Sequence, residues 1–191
     1  MATERLPLTA AAGPDVSAAS ALRRLYFVRF GFAVAWALVM FTTARHLGPL
    51  ARTLLVVYPA FDVAAAITDV RTSRAGGRPV LLYVNIAIST IAAIGLVFAG
   101  SSGIPAVLRV WGSWAVVAGA IQLTVALTRR AMGGQWPMIV SGTISVLAGI
   151  MFIVNAGVDN PTLTSAISYA IPGAIFFLIS AVRLGRSAKG N

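Results

Sequence analysis

Apolar residues in this chain come in long runs rather than in the short alternations of a soluble fold. No charge interrupts the stretch between Arg78 and Arg109, and none interrupts Trp136–Gly157, which reads WPMIVSGTISVLAGIMFIVNAG. About 20 apolar residues in a helix cross a hydrocarbon core, and this spacing predicts six such helices. The spans are expected near 25–44, 53–70, 79–99, 105–128, 136–156 and 162–182. Turn chemistry separates them: Gly48-Pro49, Gly76-Gly77, the GSSGIP run at 100–105, Gly133-Gly134 and Asp159-Asn160-Pro161. Residues 1–22 are rich in Ala, Ser and Pro with little apolar periodicity, so they read as a disordered tail, with 187–191 as a second short tail. The region 23–186 is then an all-α membrane bundle.

Within the runs, small residues recur every fourth position. Ser141, Ser145 and Gly149 share one helix face, and Asn85, Ser89 and Ala93 form a matching ladder 56 residues upstream. In lipid such positions let helix backbones approach closely, so packing is the default reading and a polar lane the alternative. The hairpins 25–71, 79–130 and 136–186 each comprise span, turn, span and arginine. VVAGAIQLTVALTRR (116–130) aligns with AIPGAIFFLISAVRLGR (170–186), bringing Gly119 onto Gly173 and Arg129 onto Arg183. Three helical-hairpin repeats, all entering from the same side, are expected. The first departs from the pattern, with Phe30, Val34 and Leu38 where the ladder is expected and Ala33 and Ala37 on a neighbouring face.

On SGTISVLAGIMFIVNAG (141–157) and the Gly–apolar–Arg pattern of 119–130 and 173–186, the chain resembles the HdeD-like family of small bacterial membrane proteins. The likeness covers about 25–186. It implies a six-span protein of the bacterial inner membrane with no catalytic activity, of a type linked to stress and acid resistance.

Composition narrows the class further. The chain is 58% hydrophobic and 10% charged, where soluble domains carry about 25% charged residues. The net charge of +10 is not a nucleic-acid footprint, because the basic residues bracket apolar runs and form no interleaved patch. With the N-terminus inside, Arg23, Arg24, Arg29, Arg71, Arg129, Arg130, Arg183 and Arg186 lie on or near the inner side, and Arg45, Arg52 and Arg109 on the outer. Positive residues stay in the cytoplasm, so both termini are expected there, with anionic lipid gathered at the arginine turns. Self-association into a homo-oligomer stays open.

Little in the inventory supports catalysis. Cysteine is absent, His46 is the single histidine, Glu4 is the single glutamate, and there is no HExxH, Walker loop or nucleophile–base motif. No enzyme activity, cofactor or metal is expected. Intramembrane ionisable residues are the exception that points to function. Asp62 lies ~12 Å along its helix from the inner end and Arg29 ~6 Å along the neighbouring, oppositely running one. An extended Arg29 reaches either Asp62 or Asp69, and the sequence leaves that choice open. Arg29, Asp62, Asp69 and Asn85 form the candidate polar site; Ser89, Ser141, Ser145, Gly149, Gly119 and Gly173 are the packing positions. Trp111 and Trp114 read as packing or interfacial residues, and Pro59 and Pro172 as kinks. Beside the stress-associated reading stand a small transporter or channel using Asp62 and Asn85, and an assembly subunit that binds a partner.

Overall fold

The computed structural model describes residues 14–43, 46–72, 79–132 and 135–187. They form six α-helices: α1 (Pro14–Thr43), α2 (Pro49–Thr72), α3 (Pro79–Ser102), α4 (Ile104–Thr128), α5 (Trp136–Asn155) and α6 (Thr164–Ser187). A short 3₁₀ turn, Arg130–Met132, follows α4. All six are long and apolar enough to cross a membrane.

The surface is inverted relative to a soluble protein. Large apolar side chains such as Leu38, Ile91, Phe98 and Leu147 lie exposed, while Asp69, Asn85, Ser89, Arg129, Gln135 and Ser141 are buried. Lipid offers polar groups no partner, so they turn inward and the apolar side chains outward. This pattern fits a multi-pass membrane protein.

Successive helices run antiparallel and close into a ring. α2 packs on α3, α4 on α5, and α6 returns to α1 in the three broadest contacts, with narrower contacts between α1 and α2, α3 and α4, and α5 and α6. The start of α1 and the end of α6 therefore share one end of the bundle, the terminal end. A large apolar cluster including Trp36, Met40, Leu55, Leu108, Phe152 and Ile167 fills the opposite, far end. A smaller one with Leu22, Leu25, Ala126, Met138 and Leu184 holds the terminal end.

Several boundaries differ from the sequence expectation. The first helix begins at Pro14, so 14–22 extend α1 rather than forming a tail. Proline suits the first helical position, the alanines that follow favour helix, and Leu22 is buried in the terminal-end cluster. Residues 1–13 and 188–191, the rest of the expected tails, lie outside the described residues. The break expected across 100–105 narrows to one residue. α3 runs through Ser102, whose hydroxyl, like that of Ser101, donates to the Phe98 carbonyl. Gly103 alone turns the chain, at φ 99° and ψ 176°, a region open only to glycine. α2 and α6 continue through Pro59 and Pro172. In the turn before Pro59, Trp36 Nε1 donates to the Leu54 carbonyl at 2.7 Å, next to the Leu55 carbonyl that Pro59, with no N–H, leaves without its helical donor.

Candidate functional site: a polar cavity inside the helix ring

The tightest seam of the bundle is built on glycines. A Cβ at Gly149 would lie 2.6 Å from the Gly112 carbonyl oxygen, and one at Gly142 would lie 2.9 Å from that of Gly119. Each pair of glycines is seven residues apart on its helix, so they share a face through two turns. α4 and α5 therefore meet backbone to backbone, the close approach that replaces hydrophobic driving force in lipid. Gly119 and Gly149, expected as packing positions, sit in this seam. Their partners Gly112 and Gly142 were legible as the same seven-residue spacing. Gly173 is different, with nothing within 4 Å of a Cβ placed there.

Where the helices do not close, the ring encloses a cavity of about 150 Å³. Asp69, Arg129 and Gln135 line it near the terminal end, and Tyr58, Trp111 and Trp114 line it at the other limit. Beyond that limit, Trp36 stacks on Trp111 at 5.5 Å and meets Tyr58 edge to face at 4.7 Å, so aromatic packing closes the far side. Each odd-numbered helix presents corresponding positions to this space: Tyr26 and Arg29 on α1, Leu82 and Asn85 on α3, Met138 and Ser141 on α5. On α1 the inward face is Arg29 with buried Ala33 and Ala37, while Val34 and Leu38 are exposed. The inward ladder of α1 is thus one residue before Phe30, Val34 and Leu38, which is the correction to the sequence reading of the first hairpin. Arginine at its first position, in place of a small polar residue, disguised it.

Asp62 is the hub of the site. Arg29 Nη1 donates to its Oδ1 at 3.0 Å, while Asn85 Nδ2 at 2.7 Å and Ser89 Oγ at 2.9 Å both donate to Oδ2. Ser89 is fully buried and in turn accepts Trp114 Nε1 at 2.9 Å. One connected network therefore joins α1, α2, α3 and α4 through a single carboxylate. Three donors compensate its charge, as a carboxylate inside a membrane bundle requires. Arg29 also lies over the Phe177 ring of α6, at 5.4 Å.

Asp69 belongs to a separate pair. It lies two turns from Asp62, ~10 Å along α2 by helical rise, and accepts Arg129 Nη1 at 2.9 Å. The choice left open by the sequence is therefore settled by geometry: Arg29 takes Asp62, and Arg129 takes Asp69. Arg129 was absent from the expected site because its place at the end of a span, beside Arg130, made it look topogenic. Its burial is visible only once the end of α4 faces α2 across the ring.

The remaining polar residues complete the wall. Ser141 and Ser145 border the cavity; Ser145 also stands in the glycine seam, its Cβ 2.6 Å from a Cβ placed at Gly119, and shares a hydrogen bond with Tyr169 of α6. Gln122 donates to the Met138 carbonyl at 3.3 Å. Trp114 and Tyr169 were missed as site residues, since an aromatic in a span is indistinguishable by pattern from a packing residue. His46 is exposed in its loop. Among the described residues, no three His, Asp or Glu side chains gather as a metal site would need. Comparison of the chain with protein-family models, curated proteins and solved structures gives no match in any of the three.

Proposed function

We propose that this chain is a small-solute transporter of the bacterial inner membrane, built of three helical-hairpin repeats around its cavity, with both termini cytoplasmic. The observation that carries the reading is the mid-bundle cavity with Asp62, Arg29 and Asn85 in its wall and Ser89 bonded behind Asp62, closed on one side by aromatic rings. Apolar side chains of similar volume often hold a bundle at least as well as a buried ion pair does, so a charged cluster on a cavity wall supports a solute site. Transporter sites lie near the bilayer midplane at the interface of repeats, and Asp62 is ~15 Å from the terminal-end limit of α2 by helical rise. Alternation of broad and narrow helix contacts around the ring supports the repeat. Exposed Arg24, Arg71, Arg130 and Arg186 at the terminal end support its cytoplasmic placement and an anionic-lipid contact there.

Flux into proteoliposomes tests this. Labelled zwitterionic, cationic and anionic solutes, and protons, are offered at graded pH to vesicles holding the wild type or Asp62→Asn. The expected result is uptake of one class above empty vesicles, lost in the variant. Absence of uptake for every class rejects transport. A second reading then takes its place, a non-catalytic stress-associated protein of the HdeD-like type. The full pairing of both carboxylates, which makes each ion pair a clasp between helices, favours it.

A further inference from the structure

The hydrogen-bonding capacity left unused around Asp62 specifies a ligand. A guanidinium carries five N–H donors. Among the described residues, the bond from Nη1 to Asp62 Oδ1 is the one hydrogen bond Arg29 makes, and its buried Nε has no partner. Nη2 makes no hydrogen bond either and, unlike Nε, is not closed off by packing, so the guanidinium keeps an unused, charge-assisted donor for a carboxylate. Asp62 accepts one bond on Oδ1 and two on Oδ2, against about four positions on an ionised carboxylate. Its vacant position is on Oδ1.

Charge balance selects further. Arg29 cancels Asp62, and Arg129 cancels Asp69. A ligand with one formal charge would bring an uncompensated ion into the interior of an apolar bundle, which is costly. A molecule carrying both signs would not. The rings of Tyr58 and Trp114 border the same space, and aromatic faces attract cationic nitrogen. An apolar protein cavity of the same volume, about 150 Å³, holds a molecule the size of benzene, so the ligand is small.

We infer that the cavity binds a small zwitterion of the amino-acid or betaine class. Its carboxylate lies on Nη2 of Arg29, and its cationic nitrogen lies between Asp62 Oδ1 and the rings of Tyr58 and Trp114. This rests on the cavity being a solute site.

Tryptophan fluorescence of the full chain in nanodiscs is the test, because Trp111 and Trp114 line the cavity. Glycine betaine and alanine are titrated beside choline, which keeps only the cation, and propionate, which keeps only the anion. The zwitterions are expected to give saturable shifts at concentrations at least about tenfold below either single-charge probe. Arg29→Lys keeps the charge opposite Asp62 but lacks the second terminal nitrogen that Nη2 supplies. It is expected to weaken the zwitterions by at least about tenfold while its unfolding temperature stays near that of the wild type. Choline or propionate binding as tightly as the zwitterions overturns the ligand class and leaves the cavity a solute site. So does wild-type affinity in a folded Arg29→Lys. Silence of all four probes overturns both inferences.

Discussion

Gly149→Ala and Gly173→Ala make the same chemical change at two positions that look alike in sequence, and the structure separates them. At Gly149 the new Cβ would stand 2.6 Å from the Gly112 carbonyl oxygen and 2.8 Å from the Val116 amide nitrogen. Ordinary carbon contacts lie at about 3.5–4.0 Å, so the fit is short by about 1 Å. Both obstructing atoms are backbone, which no rotamer change can move, so α4 and α5 must part along a seam that Gly112, Gly119 and Gly142 share. Overpacking of this kind costs ~1–3 kcal/mol. At Gly173 nothing lies within 4 Å of the new Cβ, and replacing glycine in a helix gains up to ~1 kcal/mol. That gain is common to both variants, so the stability difference between them isolates the overpacking at the seam. Thermal unfolding in detergent micelles, followed by far-ultraviolet circular dichroism, reads it. Gly149→Ala is expected to melt several degrees below Gly173→Ala, with Gly173→Ala at or above the wild type. Equal melting temperatures for the two variants would refute the backbone-to-backbone seam.

Four further outcomes follow from the same geometry. Arg29→Ala leaves Asp62 without its countercharge inside the bundle and is expected to cost ~3–5 kcal/mol in the same unfolding assay. Exchanging the charges, Arg29→Asp with Asp62→Arg, is expected to recover only part of that loss, because Asn85 Nδ2 and Ser89 Oγ both donate to position 62 and a guanidinium accepts nothing; full recovery would show the two donors to be unimportant. Trp114→Phe removes the indole bond to Ser89 and is expected to cost ~1 kcal/mol, a loss that should vanish when Ser89 is already alanine in a double-mutant cycle. Gly103→Ala places a side chain at φ 99° in a one-residue turn; a cost of ~1–3 kcal/mol is expected, and a wild-type melting temperature would mean that the turn has another conformation.

Particular residues show where legibility stopped. Asn85, Ser89, Ser141 and Ser145 were readable as inward-facing because a polar group in an apolar run has few other places to go in lipid. Asp62 stood out for the same reason. The glycine seam was half readable: spacing by four drew attention to Ser141, Ser145 and Gly149, whereas close approach depends on Gly142 and Gly149, spaced by seven. Gly119 and Gly173 align in sequence and both line the cavity, yet one touches a neighbouring backbone and the other has nothing within 4 Å of a Cβ. Alignment reports equivalent places along helices and says nothing of how near the next helix stands.

The linear pattern by itself determined six apolar helices, an even number that returns both ends of the bundle to one side, and the polar residues that must turn from lipid. Those follow from each helix alone, since length, hydropathy and face are properties of one segment in one solvent. Which arginine meets which aspartate was decided only by the ring. Asp62 and Asp69 lie on the same face of α2 and are equally charged; α1 brings Arg29 to the first, and α4 brings Arg129 to the second. Pairing and cavity alike depend on the rotation and separation of neighbouring helices, which are set jointly by side chains far apart in the chain.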